Sequence, residues 1–208
     1  MKKNLKWFIC VLALLIFLIL LKDVFAKEVF DVDDAVADFV ISIRSDFLTL
    51  FFKTVTWLCN TIFVIAIFIF VLFLVKDVRL KKYLCANIAI VFIINSILKI
   101  IVSRPRPLGE HLVDAGGFSF PSGHSMMAVG LYGFLIYFVY KYVKNKIKRN
   151  VLMSGLFLII TLVGMSRIYL GVHYTSDVLA GFMLSLSYLV GYISIMEKRV
   201  VRALDNRH

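Results

Sequence analysis

The chain has 208 residues, of which 61% are hydrophobic, and its mean hydropathy is +0.91. A soluble domain of this size could not bury so much apolar surface, so the composition indicates a protein that uses the lipid bilayer as part of its solvent. The net charge of +11 does not indicate a nucleic-acid partner, because the basic residues cluster at the ends of apolar runs and no soluble basic domain is present.

Six apolar runs follow one another along the chain, and each approaches or reaches the length needed to cross a bilayer. They cover residues 7–21, 55–75, 83–102, 125–142, 151–165 and 176–196. We expect each run to be a membrane-spanning helix. The sequence therefore predicts an all-α fold, a six-helix transmembrane bundle that forms a single membrane domain over residues 1–208.

Four basic clusters lie before the first run, between the second and third, between the fourth and fifth, and after the sixth. All four fall on the same side of the membrane if six spans alternate across it. Their members are Lys2, Lys3, Lys6, Lys76, Arg79, Lys81, Lys82, Lys141, Lys144, Lys146, Lys148, Arg149, Lys198, Arg199, Arg202 and Arg207. Cytoplasmic loops carry such an excess of lysine and arginine. We therefore predict a multi-pass protein of the plasma membrane with both termini in the cytoplasm and the remaining loops on the extracytoplasmic side.

The segment after the first run, residues 22–54, is acidic and has apolar residues at helical spacing. Its acidic residues are Asp23, Glu28, Asp31, Asp33, Asp34, Asp38 and Asp46. We expect an extracytoplasmic amphipathic helix, which could lie on the membrane surface or pack against the bundle. The first run also loosely fits a cleaved signal peptide ending at Val24-Phe25-Ala26, but an even number of spans favours a retained anchor.

Polar residues are costly next to membrane spans, and here they concentrate in two outward loops, residues 99–124 and 166–177. The first loop begins with Lys99, Arg104 and Arg106. These cations could anchor a helix at the membrane interface. They could also hold an anionic group, since arginine offers a planar fork of donors.

The same loop ends in Pro121-Ser122-Gly123-His124, directly before the fourth run. Proline and serine are common at helix starts, so capping alone accounts for part of this pattern. A helix amino terminus also offers free N–H groups to a phosphate. Gly123 would let that ligand approach the backbone, and His124 could donate a proton, which a capping role does not require.

The second loop contains Ser166-Arg167 and, further on, His173 and Asp177. The last two are four residues apart and share a face if the sixth helix begins early. The carboxylate could then orient the imidazole and leave its other nitrogen free to attack; a local His–Asp helix cap is the alternative.

Together the two loops place His124, His173, Asp177 and up to four cations on one predicted side of the membrane. Phosphoryl transfer needs these parts: positive donors, a nucleophile and an acid for the leaving oxygen. The sequence has no convincing carboxylate cluster for a metal, so the cations would neutralise the phosphate.

The three segments resemble the three motifs of the type 2 phosphatidic acid phosphatase superfamily. These motifs are Lys-x6-Arg-Pro, Pro-Ser-Gly-His and Ser-Arg-x5-His-x3-Asp. Lys99 and Arg106-Pro107 meet the first spacing, residues 121–124 meet the second, and residues 166–177 meet the third. No motif position departs from the pattern, and the motifs occur in the family's order.

The resemblance implies an integral membrane phosphatase that acts on a lipid phosphate or diphosphate without a metal or other cofactor. His173 would be the nucleophile that forms a phosphohistidine, Asp177 would orient it, and His124 would protonate the leaving oxygen and then activate water. The phosphate oxygens would be held by Lys99, Arg106, Ser122, Gly123 and Arg167. Arg104 is a further cation without a motif role, which could contact a second phosphate or the headgroup zone.

The short loops look most like small bacterial members that act on phosphatidylglycerophosphate, undecaprenyl diphosphate or phosphatidate. Haloperoxidases share the motifs but are soluble, so the six apolar runs argue against that activity. A non-catalytic lipid-phosphate transporter or receptor is the alternative, although its usual sign, a missing nucleophile, is not found. Small residues in the sixth run could pack within the bundle or against another subunit.

Overall fold

The computed structural model describes residues 3–26, 31–74 and 78–205, which form helices and loops without a strand among them. In chain order the helices are α1 (Lys3–Phe25), α2 (Asp31–Ser42), α3 (Asp46–Thr56), α4 (Thr61–Leu74), α5 (Val78–Val102), α6 (Gly123–Ala128), α7 (Phe134–Tyr142), α8 (Lys146–Tyr169) and α9 (Thr175–Asp205). The predicted all-α fold is confirmed.

Five stretches of these described residues are helical, long and apolar enough to cross a membrane. They are Asn4–Phe25, Leu80–Val102, Gly123–Tyr142, Lys146–Tyr169 and Thr175–Arg199. A bent pair, α3 with α4, passes the same test and brings the number to six if it forms one span. Lys2, Lys76 and Arg207 of the basic clusters lie outside the described residues, and the cytoplasmic placement of the termini stays a prediction.

Residues 55–75 do not form the single straight helix that the apolar run predicts. Helix α3 continues into a 3-10 turn, Trp57–Cys59, and α4 then starts at an angle of 50°. The side chain of Asn60 accepts the N–H of Ile62 at 3.0 Å. Asn60 thus competes for backbone groups at the point where α4 needs a cap, which breaks the helix. The predicted end of this run, Val75, lies outside the described residues.

The fourth run contains a π-helical turn, Val129–Gly133, between α6 and α7. Such turns interrupt the regular backbone pairing and occur often near functional sites. The carbonyl of Gly130 accepts a hydrogen bond of 2.8 Å from the side-chain amide of Asn87, which is fully buried in α5. Helix α5 therefore holds the irregular turn that follows the start of α6.

Helix α1 packs along α9 as part of the bundle. The ring of Phe17 stacks on that of Phe120 with centroids 6.2 Å apart, and the thiol of Cys10 donates to the carbonyl of Ser187 at 3.4 Å. A larger core between α4, α5, α7, α8 and α9 is filled by buried side chains that include Leu84, Leu131, Phe134, Val163 and Met196.

The acidic segment forms α2 and α3, and α2 packs against α8 and α9. Asp33 is buried, whereas Val32 and Phe39 are 58% and 61% exposed. Of the two alternatives left open by the sequence, the structure therefore favours a helix packed on the bundle. Its extracytoplasmic location stays a prediction, and Glu28 lies outside the described residues.

Gly181 lets α9 approach the start of α6 closely. A Cβ atom added at this position would lie 2.9 Å from the carbonyl oxygen of Ser122 and 3.0 Å from the Cβ of Ser125. The distance to Ser122 is too short for a real Cβ atom, and the backbone carbonyl of Ser122 cannot move aside as a flexible side chain could. The small residue therefore fixes how near the two helices can lie.

Replacing Gly181 with alanine should overpack this contact and cost about 1–3 kcal/mol of stability. We expect a lower midpoint of thermal unfolding for the detergent-purified protein, followed by intrinsic fluorescence. Gly191→Ala is the matched control on the same helix, because no heavy atom lies within 4 Å of the Cβ that it would gain. A midpoint for Gly181→Ala equal to that of the control would contradict the close approach.

Candidate active site

The three sequence motifs meet at one end of the bundle. Lys99 lies in the last turn of α5, His124 in the first turn of α6, and Arg167 in the last turn of α8. His173 follows in a short loop, and Asp177 lies in the first turn of α9. The structure thus brings together helix ends that are far apart in the sequence.

The loop between α8 and α9 turns sharply before it reaches His173. Helix α8 ends at Tyr169, and Gly171 follows with a φ of +75°, the left-handed conformation that glycine adopts without strain. A Cβ at Gly171 would also lie 2.6 Å from the carbonyl oxygen of Glu110. This glycine therefore lets the chain reverse within three residues of the histidine.

The imidazole of His173 is 4% exposed and sits beside Asp177, which is fully buried. Its Nδ1 lies 3.5 Å from Asp177 Oδ2 and 3.3 Å from the hydroxyl oxygen of Ser119. The Ser119 hydroxyl itself donates to Asp177 Oδ2. The carboxylate and the serine together orient one edge of the ring.

The opposite edge of the ring faces Arg106, whose Nη1 lies 3.3 Å from His173 Nε2. Because a guanidinium can only donate, this contact requires an unprotonated Nε2 and places the ring proton on Nδ1. That proton then points toward Asp177, and the lone pair of Nε2 points toward the cation.

Arg106 is fixed by three backbone carbonyls as well. Its guanidinium donates to Val172 at 2.6 Å, to Gly116 at 2.7 Å and to Gly117 at 3.1 Å. Burial lowers the pKa of Arg106, and the negative charge of Asp177 partly offsets that effect. The residue that the motif spacing selects is thus held by the backbone beside Nε2 of His173.

Two further cations approach the same place. The ammonium of Lys99 donates to the carbonyl of Phe118. Arg167, which is 5% exposed, donates from Nη1 to the hydroxyl of Thr56 at 2.5 Å. Its buried Nε has no hydrogen-bond partner among the described residues. Since an unpaired buried donor is costly, this nitrogen is suited to an anionic ligand.

The second motif forms the start of α6. Ser122 is fully buried and caps the helix by accepting the N–H of Ser125 at 3.5 Å, while its own N–H donates to the carbonyl of Asp177 at 3.1 Å. A Cβ at Gly123 would meet the amide oxygen of Asn95 at 2.9 Å. Capping and close approach of the backbone are therefore both present at this helix start.

Two cavities reach the site from different directions. An apolar cavity of about 490 Å³ between α4, α5 and α6 has Gly123 and His124 in its wall and is otherwise lined mainly by side chains such as Val64, Phe68, Ile88 and Phe92. A more polar cavity of about 240 Å³ touches His173, Tyr174, Asp33 and Asp34. The two histidines thus border different compartments.

Four residues around the site carry no motif role in the sequence. Ser119 and Thr56 contact His173 and Arg167 as described above, while Asp33 and Arg104 join a network with Asp177. Arg104 stood out as an extra cation, but we expected it to contact a phosphate or the headgroup zone, not a buried carboxylate. Nothing in the sequence distinguished Asp33 from the other acidic residues of its segment.

No group of three or more histidine, cysteine, aspartate or glutamate side chains in the described parts of the chain is arranged to hold a metal ion. The positive charge at the site comes from lysine and arginine side chains of the protein.

Comparison with known proteins links this geometry to one family. The model of the PAP2 superfamily matches residues 80–200. The chain is 34% identical over 182 residues to phosphatidylglycerophosphatase B of Bacillus subtilis (strain 168), covering 83% of this chain and 87% of that protein.

Two solved structures have the same fold. The crystal structure of a transmembrane PAP2 type phosphatidylglycerolphosphate phosphatase from Bacillus subtilis superposes with a TM-score of 0.82 at 30% identity, covering 91% of this chain and 96% of that one. LpxE of Aquifex aeolicus gives a TM-score of 0.64 at 26% identity, covering 80% and 96%.

Burial lowers the pKa of His173 to about 4, although its hydrogen bond with Asp177 and the charge of that carboxylate act in the opposite direction. The imidazole should therefore stay neutral from neutral pH down to about pH 4, whereas a solvated histidine becomes protonated near pH 6.5. NMR of ¹⁵N-histidine-labelled protein, with the His173 signal assigned from His173→Gln, measures this directly. A His173 signal that titrates at pH 6.5 or above would contradict the buried neutral ring.

Proposed function

Because the chain belongs to the PAP2 superfamily and is a membrane lipid phosphatase, we propose that it removes the terminal phosphate of a lipid phosphate through a phosphohistidine at His173. The observation that carries this proposal is the pair of contacts on the His173 ring. Asp177 orients Nδ1, and the cation of Arg106 faces Nε2 at 3.3 Å, where a phosphate would bind.

The phosphate would occupy the space between two helix ends, which carry Lys99 and Arg167, and the loop after α5, which carries Arg106. Lys99, Arg106 and Arg167 supply charge, and the amino terminus of α6 supplies the hydroxyl of Ser122 and the backbone at Gly123. The buried Nε of Arg167 supports this placement, since a phosphate oxygen would give it the acceptor that the described residues do not provide.

In the first step His173 Nε2 attacks phosphorus, and the bond between phosphorus and the lipid oxygen breaks. His124 gives a proton to that oxygen, so the lipid leaves as a neutral alcohol or, from a diphosphate, as a monophosphate. The imidazole becomes positively charged as the P–N bond forms, and Asp177 stabilises this charge through the Nδ1 proton.

In the second step water attacks the phosphohistidine from the side that the lipid has left. His124, now neutral, takes a proton from the water, and the P–N bond breaks to release phosphate and the neutral imidazole of His173. The reaction then needs no metal, because the cations of the site balance the charge of the phosphate throughout.

The substrate would reach the site from the membrane through the apolar cavity. Its wall includes His124, the residue proposed to protonate the lipid oxygen, so acyl or prenyl chains would lie on the leaving-group side. The curated Bacillus subtilis relative and the Bacillus subtilis crystal structure are both named as phosphatases of phosphatidylglycerophosphate, which makes it the first substrate to test. Undecaprenyl diphosphate and phosphatidate follow, because small bacterial proteins that this sequence resembles act on them. We further propose that the site faces the extracytoplasmic side of the plasma membrane, as the basic clusters indicate.

His173→Ala should lower phosphate release by at least about 10³-fold, because the covalent step loses its nucleophile. The assay uses detergent-purified protein with EDTA against phosphatidylglycerophosphate, undecaprenyl diphosphate, phosphatidate and diacylglycerol diphosphate. His111→Ala, at an exposed position outside the cation cluster, is the control and should keep most of the activity. Turnover by the pure His173→Ala variant, or complete loss of wild-type turnover in EDTA, would overturn the mechanism.

Ala89→Trp should fill part of the apolar cavity and lower kcat/KM for long-chain substrates. The same variant should hydrolyse dibutyryl phosphatidate at nearly the wild-type rate, because the short chains do not need the cavity. The ratio of the two kcat/KM values, compared between variant and wild type, is the measurement. An equal loss on both substrates would argue against access of the lipid between α4 and α5.

A further inference from the structure

Asp33 is buried, although it belongs to a helix whose other acidic residues are exposed. It is 5% exposed and lies in the first turn of α2. Its Oδ1 accepts the backbone N–H of Ser176 at 2.8 Å, and its Oδ2 accepts the Ser176 hydroxyl at 2.5 Å. Oδ2 also accepts from Arg104 Nη2 at 3.0 Å. A carboxylate buried in this way requires such partners, so its place is specific.

Arg104 joins this carboxylate to the one beside the histidine. Its Nη2 donates to Asp33, while its Nη1 donates to Asp177 Oδ1 and to the Ser176 hydroxyl, both at 2.7 Å. The guanidinium also lies over the ring of Tyr174, 4.0 Å from its centroid. Because the guanidinium is planar and rigid, the position of Asp33 sets the position of the nitrogen that holds Asp177.

The two oxygens of Asp177 have separate tasks in this arrangement. Oδ1 is held by Arg104, whereas Oδ2 accepts from Ser119 and from the N–H of Tyr174 at 2.9 Å and lies next to His173 Nδ1. Rotation of the carboxylate would break contacts at both oxygens. Arg104 thus controls the orientation that Asp177 presents to the histidine.

The charges support the same conclusion. One guanidinium between two carboxylates, Asp33 and Asp177, leaves one net negative charge in the group. If Asp33 were neutral, the cation would balance Asp177 fully, and less negative charge would remain to stabilise a positive imidazole.

We infer that Asp33 is a positioning residue that acts through Arg104 on Asp177, keeping that carboxylate oriented toward His173 and its negative charge only partly balanced. This inference rests on the proposed function, in which His173 gains positive charge during the reaction. It makes α2, a segment outside the three motifs, part of the machinery for the chemical step.

A purely structural role predicts something different. If Asp33 only fastened α2 to the start of α9, its loss would lower the thermal midpoint and leave kcat per folded molecule unchanged. A positioning role instead lowers kcat. It leaves KM and inhibition by inorganic phosphate nearly unchanged, because Lys99, Arg106 and Arg167 still hold the phosphate.

The test is a double-mutant cycle with Asp33→Asn, Arg104→Gln and the double variant, measured as kcat, KM and phosphate inhibition on folded, monodisperse protein. Asp38→Asn is the matched control: it makes the same charge change on α2 at an exposed position. Asp33→Asn should lower kcat by about 10- to 100-fold, as expected when a reacting group is misplaced by a fraction of an ångström or more. The control should keep the wild-type kcat.

The double variant should be no slower than Arg104→Gln alone, because the inferred effect of Asp33 on kcat passes through that guanidinium, whereas its bonds to Ser176 fasten α2 to the start of α9. Multiplied losses in the double variant, an unchanged kcat for Asp33→Asn, or an effect confined to KM would overturn the inference. If Asp33→Asn does not fold, Arg104→Lys replaces it, since an ammonium lacks the fork that holds both carboxylates. A lower kcat with unchanged phosphate inhibition then supports the inference, and a wild-type kcat overturns it.

Failure of this inference can be told apart from failure of the proposed function. If His173→Ala is inactive and Asp33→Asn is fully active, the positioning role of Asp33 is contradicted and the proposed function stands. If His173→Ala is active, the assignment of His173 as the nucleophile is wrong, and the reason for positioning Asp177 is lost as well.

Discussion

The buried carboxylate of Asp177 is the constraint on which the rest of the site depends. A negative charge without solvent is tolerated only when several donors surround it. Here the donors come from separate parts of the chain: Ser119 and Arg104 from the loop after α5, and the Tyr174 N–H from the loop before α9. Its backbone carbonyl also receives the N–H of Ser122. Satisfying this one group therefore brings the three motifs into contact.

The irregular helices around the site follow from the same requirement, that polar groups within an apolar bundle need hydrogen-bond partners. Asn60 ends the 3-10 turn after α3 and caps α4, and the side-chain amide of Asn87 donates to the carbonyl of Gly130 in the π-helical turn. In each case an asparagine within or beside an apolar run supplies the missing partner. The bend between α3 and α4 is thus tied to a particular side chain, and Cys59 and Thr61 on either side of it line the cavity between α4, α5 and α6.

The all-α fold could be predicted from the sequence because long apolar runs have one stable form in lipid. The motif spacings also selected helix ends and loops that the structure brings together, while the roles of the individual residues stay predictions. The sequence was insufficient for Asp33 and Thr56. Each lies in a segment with many similar residues, and its partner is more than a hundred positions away. Arg104 was visible as a cation, but nothing in its neighbours showed that it faces carboxylates. Tertiary contacts of this kind leave no periodic pattern to read.

The contact between Asp33 and Ser176 joins positions 143 residues apart in the chain. During synthesis, the acidic segment that forms α2 is made long before α9, which completes its hydrogen bonds. Contacts of such separation form late, since the intervening chain must be placed first. A polypeptide that stops short of α9 therefore contains the cations and His124 but lacks Ser176 and Asp177, so the hydrogen bonds that join α2 to the site can form only once α9 is present.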